Sequence, residues 1–441
     1  MNIWTQAAAQ LENGIRAAFT AEKLGIHIIR TEPGPRTLTT AVRLHEPDVK
    51  SLARVNRMVG AIEARAGVSP IRIHSAGGVV YIEAPSPEPL TVYAADMAGS
   101  GLAVPLGVTP LKAVAGVDFE QDSHLICVAP TNGGKTTALL AIVWQLARQH
   151  KPSQARIIIS TFKPVDLLSR SVDWERISRL AHVGGLITDV DETVQMIQWL
   201  EATMYQRTAQ HITSPRLFIV LDDLLNILSR APELAKILAD IASLGRGAGI
   251  HLLIGTQRLG SKGTGDSVVA GNITGRVVFK TVNAQDAESF TGRSQTGANA
   301  LGEHPGDAIL VTKAGGVQRI AVGIVTTADL AGLPQGQGTR PWLQTGTATG
   351  TGGGIPVNEG QNARSGGSDA GIPPAVPPAV PAKTFPLPYR EPTPAEQMQL
   401  VALYDRKGSK NKTLAVAYAQ GKTPKSLGWL DKALSAMGVR A

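Results

Sequence analysis

Apolar positions change their period several times along the chain, and the changes divide it. Residues 3–24 are helix-like with a diffuse apolar stripe. From about residue 26 to 91, short β-rich runs (26–30, 37–43, 71–75 and 79–83) surround one helical pattern at 48–66. In that helix Leu52, Val55, Val59 and Ile62 recur at spacings of three and four, while Lys50, Arg54 and Arg57 fall largely on other faces. The patterns predict an N-terminal helical segment over 1–25 and a small α/β domain over 26–105.

Between about residues 106 and 325, apolar runs of strand length alternate with helical patterns. Such alternation predicts a parallel sheet with crossover helices. The candidate strands are 124–129, 156–161, 216–221, 249–255, 275–279 and 307–311. After Trp342 the composition shifts abruptly: 345–354 is nearly all Gly, Thr and Ala, and 371–388 repeats Pro-Pro-Ala-Val. A segment of that kind buries no core, so 341–392 reads as a linker, flexible in its Gly-rich half and extended in its Pro-rich half. Three short helical patterns follow, at 394–405, 411–419 and 423–437, within a final segment 393–441. Thr423 and Pro424 suit a helix start, because Thr caps free amides and Pro needs no amide partner there.

A chain of 441 residues is long enough for two or three domains. Its one cysteine, Cys127, lies in an apolar run and has no second thiol to pair with, which fits a reducing cytoplasmic compartment. No run reaches the ~18–20 apolar residues of a membrane span, so the expectation is a soluble protein without membrane association. The net charge of +8 is unevenly placed. Between residues 393 and 441, eight basic residues face three acidic ones, which puts +5 of the +8 in the tail. That bias suits a polyanionic partner, although basic proteins without one are common.

Chemistry enters at Ala129, Pro130, Thr131, Asn132, Gly133, Gly134, Lys135 and Thr136, which fit the phosphate-binding P-loop pattern with Ala in the place of the first Gly. An apolar strand precedes the segment and an apolar helix, beginning near Thr137, follows it. Small residues let backbone amides turn toward phosphate oxygens, and the new helix adds its positive end. In this reading the cofactors are ATP and Mg2+, with Lys135 on the β and γ phosphates and the Thr136 hydroxyl on the metal. The residues 129–137 together form the expected nucleotide site. The bland alternative is a chance Gly-rich turn.

Such a site also requires a carboxylate at a neighbouring strand end, and the run Leu217-Phe-Ile-Val-Leu221 leads directly into Asp222 and Asp223. Asp222 would hold Mg2+ through water, and Asp223 would polarise the attacking water. Alternatively the pair only starts a loop or caps a helix at 224–229.

Further residues narrow the field. Gly245-Arg-Gly-Ala-Gly-Ile-His-Leu-Leu-Ile-Gly-Thr-Gln-Arg258 resembles the FtsK/SpoIIIE family strand that ends in Ala-Thr-Gln-Arg after Arg-Ala-Ala-Gly-Ile-His. Phe162-Lys163-Pro164 resembles the family's Asp-Pro-Lys turn, and Gly306-Asp307 its late Gly-Asp. Upstream, Gly34-Pro35, the 48–66 helix and Val92-Tyr93 look like the subdomain preceding the motor, so the resemblance spans roughly 28–325. It implies a RecA-like P-loop ATPase core over 106–340, a hexameric ring as the homo-oligomer, and double-stranded DNA drawn through the ring. It further implies that Gln257 senses the γ phosphate and that Arg246 reaches a neighbouring subunit as an arginine finger, with Arg258 as the competing candidate. Arg246 otherwise reads as a surface arginine at a helix end.

Three departures stand out. Asp223 replaces the family's usual Glu, which sets the carboxylate back by about 1.5 Å. Asn132-Gly-Gly-Lys-Thr136 replaces Gly-Ser-Gly-Lys-Ser. The membrane spans of the cell-division members have no counterpart in this sequence.

In the tail, residues 411–437 suggest a DNA-binding helix-turn-helix, with Lys410, Lys412, Lys422, Lys425 and Ser426 available to phosphates or bases. A small protein-binding bundle with solvated lysines is the alternative. The expected function is an ATP-dependent DNA translocase. The competing readings are an ATPase that energises protein secretion and a nucleotide-switched partition or regulatory protein.

Overall fold

The computed structural model describes residues 3–164, 172–260, 265–336 and 338–346. The linker beyond 346 and the basic tail, with Lys410, Lys412, Lys422, Lys425 and Ser426, lie outside the described residues.

The N-terminal part is built on a four-stranded antiparallel sheet, β1 (Ile26–Pro33), β2 (Thr37–Leu44), β3 (Arg72–Ala76) and β4 (Val79–Pro85), in the order β1-β2-β4-β3. The opening helix, Ile3–Ala21, is an integral part of this domain. Its Leu11, Ile15, Ala18 and Phe19 are buried in one core with Leu38, Val42, Ile62, Val80 and Ile82. Gly14 lets it cross the helix Val59–Ala66 closely, because a Cβ there would stand 2.5 Å from that of Ala66. The single helix expected at 48–66 is two, Val49–Arg57 and Val59–Ala66, broken at Met58, whose φ and ψ are −82° and 0°. Asp48 caps the first by accepting from the Ser51 amide. The sheet ends at Pro85, well before the expected boundary at 105.

The second part is a ten-stranded sheet that takes in β5 (Ala103–Val108), β6 (Val114–Asp118), β7 (Leu125–Val128), β8 (Ala155–Thr161), β9 (Val183–Ile187), β10 (Arg216–Asp222), β11 (Ile250–Thr256), β12 (Gly275–Phe279), β13 (Asp307–Thr312) and β14 (Gly316–Val322). Their order is β6-β5-β14-β13-β12-β7-β11-β10-β8-β9. Strands β12, β7, β11, β10, β8 and β9 are mutually parallel, as expected for crossover connections. From β12 outward the pairing turns antiparallel, so the expected strand at 307–311 exists but runs against its neighbour. Helix Lys135–Gln149 covers one face, and helices Val190–Gln210, Leu224–Arg230 and Leu234–Leu244 cover the other. Burial on both faces explains why β10 and β11 read as continuous apolar runs.

Registers align the strand ends that matter. Asp222 pairs with Thr161 on one side and Gly255 on the other, and Gly255 pairs with Cys127. The carboxyl ends of β8, β10, β11 and β7 therefore form one crest, where open α/β sheets bind ligands.

A buried ion network joins the two parts. Glu83 of β4 accepts from Arg72 at 3.1 Å and from Arg319 of β14 at 3.0 Å, and Arg319 also binds Asp307 at 2.9 and 2.5 Å. All four side chains are at most 5% exposed. Among the described residues no helix is long and apolar enough to cross a membrane.

Candidate functional site

The crest is occupied by the loop between β7 and helix Lys135–Gln149. Asn132 has φ 63° and Gly134 φ 109°, so the loop turns back on itself before the helix begins. At Gly134 a Cβ would meet the Phe279 ring at 2.9 Å and the Gly306 backbone at 3.0 Å. Gly306 also donates its amide to the Gly133 carbonyl at 3.3 Å, so the late Gly-Asp pair braces the loop. Ala129 stands where the pattern usually has Gly. Its Cβ would lie 3.0 Å from one on residue 133, and Gly133 has none, which leaves the turn its room. The helix has no acidic residue in its first turn and no side-chain cap, so its first amides keep their capacity for an anion.

Lys135, Thr136 and Asp222 converge. Lys135 Nζ lies 2.9 Å from Asp222 Oδ1, and Thr136 Oγ1 donates to Asp222 Oδ2 at 3.2 Å. Trp174, buried on the short helix Trp174–Ile177, donates its indole N–H to the same Oδ2 at 2.9 Å. Gly255 makes the convergence possible: a Cβ there would sit 2.9 Å from both Asp222 Oδ1 and Lys135 Cδ. Beneath the group lies Cys127, fully buried, whose thiol burial pushes well above its ordinary range; it is an inert packing residue.

Asp223 occupies the cap position of helix Leu224–Arg230 but makes no side-chain cap bond. The capping alternative therefore fails for it. Its backbone is held at φ 95°, ψ 61°, with its amide donating to the Gly255 carbonyl at 2.9 Å. A non-glycine residue in that region stores strain, a condition that clusters at functional sites.

These residues line a cavity of about 1050 Å³ that includes all of 129–137, Thr161, Phe162, Lys163, Pro164, Asp222, Asp223, Gln257 and the loop 304–306. Arg36, Pro89 and Thr91 enter it from the N-terminal side. Arg258 is exposed on an adjoining hollow with Thr131, Asp223 and Asn226. Arg246 is absent from both. It is exposed in the turn Gly245–Ala248, at the amino end of β11, whereas Gln257 follows its carboxyl end. Seven strand residues separate them, about 23 Å at ~3.3 Å each.

The residues foreseen at the chain's own nucleotide site thus come together, and Arg246, foreseen at a neighbouring subunit's site, stands away from them. Three that sequence reasoning missed are Trp174, Gly255 and Arg36. Gly255 had a signal, a glycine inside an apolar strand; Trp174 and Arg36 had none.

Comparison with known proteins adds the following. The FtsK/SpoIIIE family matches residues 95–214, which bears out the resemblance read from the sequence over the P-loop segment. That match ends before β10 and so does not reach Asp222, Asp223 or Gln257. The ESX-4 secretion system protein EccC4 of Mycobacterium tuberculosis is 25% identical over 257 residues, 51% of this chain and 20% of its own length. DNA translocase SftA of Bacillus subtilis is 24% identical over 322 residues, 65% of this chain and 32% of its own. The chain therefore spans about a fifth to a third of these relatives. A solved structure of the pCW3 conjugation coupling protein TcpA, with ATPgS, superposes with a TM-score of 0.48 at 16% identity, covering 72% of this chain and 95% of that one.

Proposed function

We propose that this chain, an FtsK/SpoIIIE-type P-loop ATPase core, is a motor that hydrolyses ATP to move double-stranded DNA. The observation that carries the ATPase part is the convergence of Lys135, Thr136 and Asp222 at an uncapped helix start.

The residues fit a metal-bound triphosphate. Glycines at 133, 134 and 255 let the loop, Gly306, Asp222 and Lys135 pack closely around the cavity, and a hydroxyl and a carboxylate already face each other 3.2 Å apart. Thr136 and Asp222 would hold Mg2+, which when bound supplies positive charge against the β and γ oxygens. Lys135 passes from Asp222 to the phosphates as the nucleotide enters, one charge pairing replacing another. The amides of 133–136 and the helix end hold the phosphate chain in place. Asp223, with no cap bond to satisfy, is free to accept the proton of the attacking water, and Gln257 senses the γ phosphate. Trp174 keeps the Asp222 carboxylate turned toward Thr136.

Arg246 lies too far from its own cavity to stabilise charge there, and it suits a neighbour's site in a hexameric ring. A finger supplied in trans makes turnover depend on assembly. Arg258, beside its own P-loop, is suited to positioning within the subunit.

The DNA cargo is supported by the similarity to SftA, which extends over more of this chain than that to EccC4, and by the basic tail, where Lys410, Lys412, Lys422, Lys425 and Ser426 would contact phosphates. A protein cargo is the second reading, favoured by the similarity to the secretion system protein EccC4. Steady-state ATP hydrolysis with and without long duplex DNA, at two salt concentrations, separates them. The DNA reading expects strong stimulation that weakens as salt rises. Turnover indifferent to DNA favours the protein cargo.

A further inference from the structure

Arg36 belongs to the N-terminal domain, immediately before β2, yet its side chain lines the P-loop cavity. Its backbone is fixed on every side. The Arg36 carbonyl accepts from the Ser86 amide at 2.9 Å, the Gly34 amide donates to Thr37 O at 2.7 Å, and the Leu90 amide donates to Pro35 O at 2.8 Å. Gly34 packs so tightly on Pro110 that a Cβ would lie 2.4 Å from its carbonyl oxygen. The guanidinium is thus presented from a rigid turn.

Its bonds are few for five N–H donors. Nη2 donates to the Pro305 carbonyl at a long 3.4 Å, and Nε is buried with no hydrogen-bond partner among the described residues. Asp307, the nearby carboxylate, is already engaged twice by Arg319. No carboxylate among the described residues forms an ion pair with Arg36. Burial lowers its pKa, with Asp307 acting in the opposite direction, so the charge is partly desolvated and inadequately paired. Pro305 precedes Gly306, whose amide rests on the Gly133 carbonyl, so the unpaired guanidinium stands beside the loop that bounds the phosphate cradle.

We propose that Arg36 binds the phosphate chain of the nucleoside triphosphate, so that the N-terminal domain and the P-loop grip one ligand together. The inference rests on the nucleotide reading above. It gives the weakly bonded Nη groups of Arg36 an anion to pair with, and it gives the N-terminal domain a direct contact with the occupied site.

The test is calorimetric titration of the full chain with ADP in the presence of Mg2+, alongside thermal unfolding without nucleotide. Arg36→Ala is expected to weaken ADP binding by about tenfold, the scale of one charge-assisted contact. Arg36→Lys should recover part of that loss, and the nucleotide-free Tm of both variants should stay within about 2 °C of the parent. Affinity within about twofold of the parent for Arg36→Ala, with Lys135→Ala losing ADP, overturns this proposal alone. A matching fall in Tm and affinity that Lys does not recover also overturns it, by showing that Arg36 only holds the Pro305 loop. Parent and Lys135→Ala proteins that bind ADP alike overturn the nucleotide reading and this inference with it.

Discussion

Lys135 Nζ and Asp222 Oδ1 stand 2.9 Å apart, joining the first turn of the P-loop helix to the end of β10. The proposed function gives the two residues different tasks once phosphate enters, and substitutions should separate them. Lys135→Ala is expected to lose nucleotide affinity and turnover together. Asp222→Asn should retain binding while turnover falls by about 10²-fold or more, a scale typical of removing one charge-stabilising group. Parallel titration and steady-state kinetics check this, and equal loss of binding in both variants would contradict the division of roles.

Asp223 is expected to trade stability for activity. Its φ of 95° favours glycine, so Asp223→Gly should raise unfolding stability by about 0.5–1 kcal/mol while turnover falls at least about tenfold. Asp223→Asn keeps the shape and removes the charge, and should lower turnover with little change in stability. Urea unfolding and hydrolysis assays on both variants read the two effects separately.

Acid should loosen the junction between the two sheets. Burial alone would raise the Glu83 pKa, but Arg72 and Arg319 outweigh it and push the carboxyl down to about 2 from an ordinary 4.5. Because the folded value is the lower one, the stabilisation is complete above about pH 4.5 and is lost as pH falls toward about 2. Unfolding measured from pH 7 to 3 should show a steeper decline in the parent than in Glu83→Gln. At pH 7 that variant should be less stable by about 3–5 kcal/mol, the usual consequence of breaking a buried ion network.

How much of this was legible in the sequence depended on burial. Strands β7, β8, β10 and β11 lie between two helical layers, so their apolar runs stood out, and β10 announced Asp222 by ending in it. Strand β9 did not stand out, because its interior is Gly184 and Gly185, where Trp342 and the backbone of Thr339 pack closely. In the antiparallel extension, β6 is short and alternating, β5 carries Pro105, and β14 opens on exposed Gly316 and Val317 with Gln318 and Arg319 in its middle. The break at Met58 was marked only by Gly60, two residues on, a glycine that the apolar spacing of Leu52, Val55, Val59 and Ile62 ran straight across. Trp174 and Arg36 reach the site only through tertiary folding, one from a four-residue helix and the other from a different domain. No periodicity could have shown either.

Arg246 should act between subunits. An Arg246→Ala protein and an Asp222→Ala protein, each inactive alone, are expected to regain part of the parental turnover when mixed, because a ring then contains intact carboxylate sites facing intact fingers. Turnover measured across mixing ratios tests this. A flat response at every ratio would assign Arg246 to the surface of its own subunit.

The most direct test of the central claim is displacement of a third strand bound near the end of a long duplex, followed with ATP present. Movement along DNA predicts displacement that requires ATP, takes longer as the intervening duplex lengthens, and vanishes in Lys135→Ala. ATP hydrolysis that proceeds at the same rate with DNA present and displaces nothing would contradict it.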